Sequence, residues 1–124
     1  MAGIRVLVDT DILIDYFNRG DHAWLLDHRL NRIYFSVVTE RELLAKRGLR
    51  DSERQAIQTT LARFRCIRLT PAIAARYASL RAEVRGLERA DALVAATALV
   101  KRLPLMTRNW KDFRRVAGLT LFTG

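Results

Sequence analysis

The stretch Val6–Asp15, VLVDTDILID, sets an apolar run directly against three carboxylates, Asp9, Asp11 and Asp15. Ile4–Val8 is short, apolar and rich in β-branched residues, which is typical of a strand covered on both faces. Asp9 ends that strand, and the residues after it predict a helix of about two turns. An acid that ends a buried strand, with a second acid two residues later, indicates a functional site. Asp15 lies one turn further along, where we expect it on the solvated surface.

The composition predicts one basic domain over residues 1–124. Lysine and arginine number 22 against 13 acids, for a formal net charge of +9. Such an excess favours polyanionic partners, with nucleic acid ahead of an anionic membrane surface, although a basic surface without such a partner remains an alternative. The single cysteine, Cys66, suits a reducing compartment. The start MAGIR lacks a signal peptide's apolar region, and Ala92–Val100 is too short to cross a bilayer, so we expect a cytoplasmic protein with no membrane association.

Strand and helix patterns alternate along the chain. Strands are predicted over residues 4–8, 33–38, 66–69, 103–106 and 119–122, and helices over residues 22–30, 39–46, 51–64, 70–85 and 89–101. Alternation of this kind is typical of parallel strands joined by helical crossovers. The predicted fold class is therefore α/β, a three-layer α/β/α sandwich with a central parallel sheet.

Further polar residues follow the predicted strands. Glu42 follows the second strand, Asn109 and Asp112 follow the fourth, and Asp91 lies in the first turn of the alanine-rich helix. Ligands of an open parallel sheet bind beyond the carboxyl ends of its strands. Carboxylates gathered there, together with Asp9, repel one another by roughly 1 to 4 kcal/mol for each pair at about 4 Å. A hard divalent cation, Mg²⁺ or Mn²⁺, would relieve that repulsion.

Structural alternatives exist for the same acids. Thr39-x-x-Glu42 matches a capping box, in which Glu42 would only bond to the helix start. Capping and the macrodipole could likewise explain four further acids as ordinary helix-start residues: Asp9, Asp11, Asp91 and Asp112.

Four segments together resemble the PIN-domain ribonucleases of the VapC toxin type. They are VLVDTDILIDYF (6–17), YFSVVTERELL (34–44), ADALVAATAL (90–99) and MTRNWKDFRRVAGLTLF (106–122), and in order and spacing they span nearly the whole chain. The resemblance implies a PIN-like sheet and an endoribonuclease that depends on Mg²⁺ or Mn²⁺ and cleaves RNA with metal-activated water. It also implies a homodimer and a VapB-like antitoxin partner.

The resemblance also implies roles for individual residues. Asp9, Glu42 and Asp91 match the family's metal-binding acids, and its fourth acidic position falls on Asn109, which brings no charge and puts a second metal in doubt. The supporting, water-holding positions are Asp11, Thr107 and Asp112. Candidates for contact with RNA phosphates are the basic residues that flank the motifs: Arg41, Arg47, Arg85, Arg89, Arg108 and Lys111.

Two other functions are compatible with parts of the pattern. The sequence from Asp9 to Leu13, DTDIL, nearly satisfies the DxDx[TV] motif of haloacid-dehalogenase-type phosphohydrolases, in which Asp9 would be the nucleophile and Asp11 the acid. Alternatively, Asn109 is what a PIN-like RNA- or partner-binding module with an impaired catalytic site would carry.

Overall fold

A computed structural model describes residues 3–123 as a four-stranded parallel sheet between helices. The strands are β1 (Arg5–Val8), β2 (Arg32–Ser36), β3 (Arg65–Ile67) and β4 (Leu105–Met106), in the spatial order β3-β2-β1-β4. The helices are α1 (Thr10–Arg19), α2 (Ala23–Leu26), α3 (Val37–Leu44), α4 (Asp51–Leu61), α5 (Pro71–Glu83), α6 (Arg89–Lys101) and α7 (Trp110–Phe113). No helix within the described residues combines the length and apolar character that crossing a membrane requires.

The sheet is buried on both faces, as its apolar strands predict. Val6 and Val8 belong to one apolar cluster, with residues of α1, α2, α3 and α4, whereas Leu7 belongs to a second cluster, with residues of α5 and α6. Alternate residues of a strand point to opposite faces, so this division follows from the pleat. The three-layer α/β/α prediction is therefore confirmed.

The predicted start of α5 is confirmed, whereas the predicted end of the second helix is not. Thr70 caps α5 by accepting from the Ile73 amide at 3.2 Å, and Pro71 occupies the first helical position. The helix predicted over residues 22–30 is wrong beyond Leu26, because the Asn31 side chain binds the Leu25 carbonyl at 2.9 Å and the chain turns away.

The strand predicted over residues 119–122 is reduced to a single bridge. Leu121 pairs with Leu105 in parallel, and backbone bonds run from Leu105 N to the Thr120 carbonyl and from Phe122 N to the Leu105 carbonyl. Since β4 has only two residues, it offers the last segment no longer ladder.

The strand order places a crevice between β1 and β4. The chain steps from β1 to β2 to β3 in one direction, and then returns to add β4 on the other side of β1. Helices that leave neighbouring strands in opposite directions open a gap beyond the carboxyl ends of those strands. In this chain, Asp9 follows β1 and Thr107 follows β4, so the fold brings these two residues to the same gap.

Candidate metal-binding acidic edge

Asp9 lies at the centre of the carboxyl edge. It caps α1, with Oδ1 accepting from the Thr10 amide at 2.9 Å, and its Oδ2 accepts from the Thr107 hydroxyl at 2.8 Å. Only 8% of Asp9 is exposed. Burial, followed by the charge of Asp11, raises the pKa of Asp9 to about 6. The fold thus holds a carboxylate rigidly where its negative charge is poorly solvated, which is costly without a positive partner.

Thr107 links the two strand ends. Its hydroxyl accepts from the Asn109 amide at 3.0 Å and lies 3.4 Å from Asp11 Oδ2, which also accepts from the Arg108 amide at 3.0 Å. Burial raises the pKa of Asp11. Its other oxygen, Oδ1, is buried without a hydrogen-bond partner among the described residues. An orphaned carboxylate oxygen is rare in a folded protein and indicates a ligand or water that would satisfy it.

Glu42 reaches the same edge from α3. Its Oε1 accepts from the Thr10 hydroxyl at 2.7 Å, and that hydroxyl lies 3.0 Å from the buried Thr39 hydroxyl. The capping-box alternative is wrong, because α3 starts earlier and Ser36 caps it by accepting from the Val38 amide at 3.2 Å. Thr10 was not predicted as a site residue, since in the sequence it has the ordinary appearance of a helix-start threonine.

Asn109 stands between two acids. Its Nδ2 donates to Asp112 Oδ2 at 3.1 Å and to Asp91 Oδ2 at 3.4 Å. Burial, followed by the charges of Glu88, Asp112 and Glu42, raises the pKa of Asp91 to about 6. Asp112 lies in the first turn of α7, whose N-cap is Asn109, and Asp91 lies in the first turn of α6, so the helix-start interpretation of both acids is compatible with the structure. The amide therefore bridges carboxylates that would otherwise repel.

The acids predicted from the sequence share one electrostatic environment. The charge of Asp91 raises the pKa of Asp9, and the charge of Glu42 raises that of Asp91. Within residues 3–123, no three Asp, Glu, His or Cys side chains are already gathered as a metal site. The donor set nevertheless fits a hard cation, because Mg²⁺ is commonly held by one or two carboxylates and completes its shell with water.

Asp15 is buried, which corrects the prediction of a solvated position. Only 4% of it is exposed, and its carboxylate contacts Arg19 at 3.0 Å, His22 at 3.3 Å and Arg108 at 3.0 Å. Burial alone would raise the pKa of Asp15, but the hydrogen bond from His22 and the charges of Arg108 and Arg19 outweigh it, so the pKa is lowered. Asp15 follows Asp11 by four residues, which places both acids on one face of the helix, and this spacing is the sequence feature that could have indicated its burial.

All six basic residues predicted to contact phosphate are exposed. They are Arg41, Arg47, Arg85, Arg89, Arg108 and Lys111. Arg108 is paired with Asp15 and lies 4.0 Å from Asp11, so its charge is already partly neutralised by acids of the protein. The other five form no ion pair with an acid in the part of the chain that the structure describes.

The fold and the acidic edge define a class, an α/β domain with carboxylates gathered at a topological switch point. The family model for the PIN domain matches residues 6–119. Ribonuclease VapC10 of Mycobacterium tuberculosis is 37% identical over 112 residues, covering 84% of this chain and 82% of the relative. Ribonuclease VapC19 of the same organism is 35% identical over 119 residues, covering 86% and 90%.

A solved structure agrees with the sequence relatives. A toxin–antitoxin complex from Klebsiella pneumoniae contains a chain that superimposes with a TM-score of 0.78 at 34% identity, covering 93% of this chain and 95% of that one. The chain therefore belongs to the PIN-domain family and, within it, to the VapC type. Because the chain belongs to this family, the haloacid-dehalogenase alternative is wrong.

Proposed function

We propose that this protein is a divalent-metal-dependent endoribonuclease and the toxin of a VapBC-type toxin–antitoxin pair. The observation that carries the proposal is the buried Asp9 carboxylate, held by Thr107 beside Asp11 and within the electrostatic influence of Asp91. Relatives of the same type are named ribonucleases. Buried carboxylates whose pKa values are raised in the absence of a metal are typical of functional sites, and a hard cation prefers such oxygen ligands.

Asp9, Asp91 and Glu42 would hold Mg²⁺ or Mn²⁺. A bound divalent cation supplies positive charge to a phosphodiester and makes water a nucleophile near neutral pH. Two hydroxyl groups orient these carboxylates. The Thr107 hydroxyl donates to Asp9 Oδ2 at 2.8 Å, and the Thr10 hydroxyl donates to Glu42 Oε1 at 2.7 Å. Asn109 binds Asp91 and orients it without adding charge.

Cleavage of RNA is the direct test. We expect the purified protein to cut at least one RNA in a panel of tRNA, rRNA and mRNA with Mg²⁺ or Mn²⁺, and EDTA to stop the reaction. Asp9→Asn should abolish cleavage because it removes the central charge. Asp51→Asn, at an exposed acid on α4, is the matched control and should cleave like the native protein. Native protein that leaves the whole panel intact would contradict the proposal.

An impaired RNA- or partner-binding module is the second candidate, and Asn109 favours it. Its neutral Nδ2 donates to both neighbouring acids, and these hydrogen bonds satisfy carboxylates that a cation would otherwise neutralise. RNA that the native protein binds but does not cut, even with Mg²⁺ or Mn²⁺ present, would favour this candidate.

An antitoxin would have an apolar groove to occupy. The groove, about 430 Å³, lies between α1, α3 and α4 and is lined by apolar side chains that include Ile14, Phe17, Leu43 and Ile57. Glu42 lies at its margin, so a bound segment would also approach the acidic edge. We propose that a segment of a VapB-like antitoxin binds in this groove. We further propose that the protein forms a homodimer and acts in the cytoplasm. Toxicity on expression, relieved by the product of a neighbouring short reading frame, would test the pairing.

A further inference from the structure

Basic residues begin three of the four strands and closely precede the fourth, at the edge opposite the acids. Arg65 begins β3, Arg32 begins β2 and Arg5 begins β1. Lys101 and Arg102 end α6 and lead into β4. In the order β3-β2-β1-β4 these five residues, named here the amino-edge row, cross the whole sheet. With strands about 4.8 Å apart, the row is about 14 Å long.

The amino-edge row is not neutralised by the protein. All five residues are exposed, and none forms an ion pair with an acid within residues 3–123. Arg5 and Arg32 are direct partners in the parallel register of β1 and β2, so two like charges stand side by side. Like charges directly opposite each other destabilise a sheet, and an anion between them removes that cost.

Tyr34 shows how closely these charges converge. The Arg5 guanidinium lies 5.7 Å from the centroid of the Tyr34 ring. The hydrogen bond from Arg5, and then the charges of Arg5, Arg65 and Arg32, lower the pKa of the Tyr34 phenol. Three guanidinium groups on neighbouring strands therefore act on one side chain.

Two clefts flank the row, one on each face of the sheet. The first, about 540 Å³, includes Arg29, Arg32, Arg63 and Arg65 in its lining. The second, about 430 Å³, includes Arg5, Arg65, Arg68 and Lys101. Asp27 is the acid in the first cleft, and Arg63 pairs with it at 2.6 Å. The positive charge thus continues from the edge into concave surfaces on both sides.

We propose that the amino-edge row binds the phosphodiester backbone of RNA, as an anchoring surface separate from the acidic edge. The choice of RNA among polyanions rests on the proposed function. Arginine suits this role because its guanidinium fork binds phosphate oxygens in pairs. The four steps of chain from Arg5 to Asp9 separate the two edges by about 13 Å. That path runs through the buried residues of β1, so an RNA that contacts both edges must pass around the outside of the domain, and the row would therefore favour long or structured RNA.

Salt-dependent binding tests the row. A fluorescent single-stranded RNA is titrated with protein in EDTA, without cleavage, over a range of salt concentrations. Arg32→Gln/Arg65→Gln should lower the slope of log affinity against log salt by about 1.4, since each lost phosphate contact on single strands removes about 0.7. Arg32→Lys/Arg65→Lys keeps the charges and should keep the slope. Both residues are exposed, and thermal unfolding verifies that the variants are folded.

The matched control is Arg54→Gln/Arg114→Gln, which removes two exposed, unpaired arginines away from the row. This control should keep the native slope; an equal loss would mean that net charge alone matters and would overturn the proposal. An unchanged slope in the row variant would also overturn it, as would an equal loss of affinity for poly-glutamate. Asp9→Asn should keep full binding, so a failure of cleavage and a failure of the row are distinguishable.

Discussion

Asn109 determines how much negative charge the acidic edge carries. Its Nδ2 lies 3.1 Å from Asp112 and 3.4 Å from Asp91, so one neutral group hydrogen-bonds two carboxylates. A carboxylate at this position would lose both hydrogen bonds and add a third like charge. The amide therefore lowers the electrostatic cost of the edge in the absence of a cation, and at the same time removes a charged ligand for one.

Asn109→Asp should make the protein more dependent on metal. In EDTA, we expect the free energy of unfolding to fall by roughly 1–3 kcal/mol, because two hydrogen bonds become repulsive contacts. Mg²⁺ or Mn²⁺ should restore more stability to this variant than it adds to the native protein. Denaturant unfolding with and without metal measures both effects. Asn18→Asp, at an exposed position on α1, is the control, and an identical metal response in all three proteins would contradict the expectation.

For single residues, the sequence predicted the location in the fold better than it predicted burial and contact partners. Asp9 and Asp91 could be placed at the edge because an acid beside an apolar run has few other places to go. Asp15 could not be placed, since its burial depends on Arg108, whose side chain reaches it at 3.0 Å from the loop after β4. Thr10 was missed for the same reason, because its partner Glu42 belongs to another helix.

Among the elements, α1 and the loop after β4 are tied together by charge. Asp15 on α1 binds Arg108 in that loop, while the Arg108 amide binds Asp11, one turn earlier on the same helix. The two contacts hold the loop that carries Thr107 and Asn109 against the start of α1. The geometry of the acidic edge thus depends on an ion pair that lies outside it.

Asp15→Asn should loosen this connection. The variant leaves Arg19, His22 and Arg108 without their shared carboxylate, and we expect a loss of about 2–3 kcal/mol in the free energy of unfolding. That is less than a fully buried pair, because both arginine side chains are about 60% exposed. Asp27→Asn, which breaks a more exposed pair with Arg63, should cost less than about 1 kcal/mol. Equal losses in the two variants would contradict a special role for Asp15.

The order of the elements was readable along the chain, whereas the edges of the sheet were not. The boundaries of α6 were predicted to the residue, because an uninterrupted alanine-rich run leaves no alternative. The last predicted strand became one bridge at Leu121, since its length depends on a partner, β4, of only two residues. The basic amino edge was also missed, because the arginines that form it are scattered from Arg5 to Arg102 and meet only in the sheet.

Without metal, the free energy of unfolding of this protein should fall as the pH rises, whereas the stability that Mg²⁺ adds should increase. The pKa values of Asp9 and Asp91 rise from 3.8 to about 6 on folding, so between those pH values the folded state holds more protons than the unfolded chain. In EDTA, the free energy of unfolding should therefore fall as pH rises from about 4 to about 7, by on the order of 3 kcal/mol for Asp9 alone. Asp15 affects stability over a different pH range, because its lowered pKa reduces the free energy of unfolding only below about pH 4.

Added Mg²⁺ competes with protons for the oxygens of Asp9 and Asp91, so the stability it adds should grow over the pH interval in which the metal-free protein becomes less stable. Denaturant unfolding at several pH values, in EDTA and in Mg²⁺, measures both slopes. Asp9→Asn should make them shallower and leave the contribution of Asp91, whereas Asp51→Asn should not change them. A metal-free protein whose stability rises from pH 4 to pH 7 would contradict the burial of these charges.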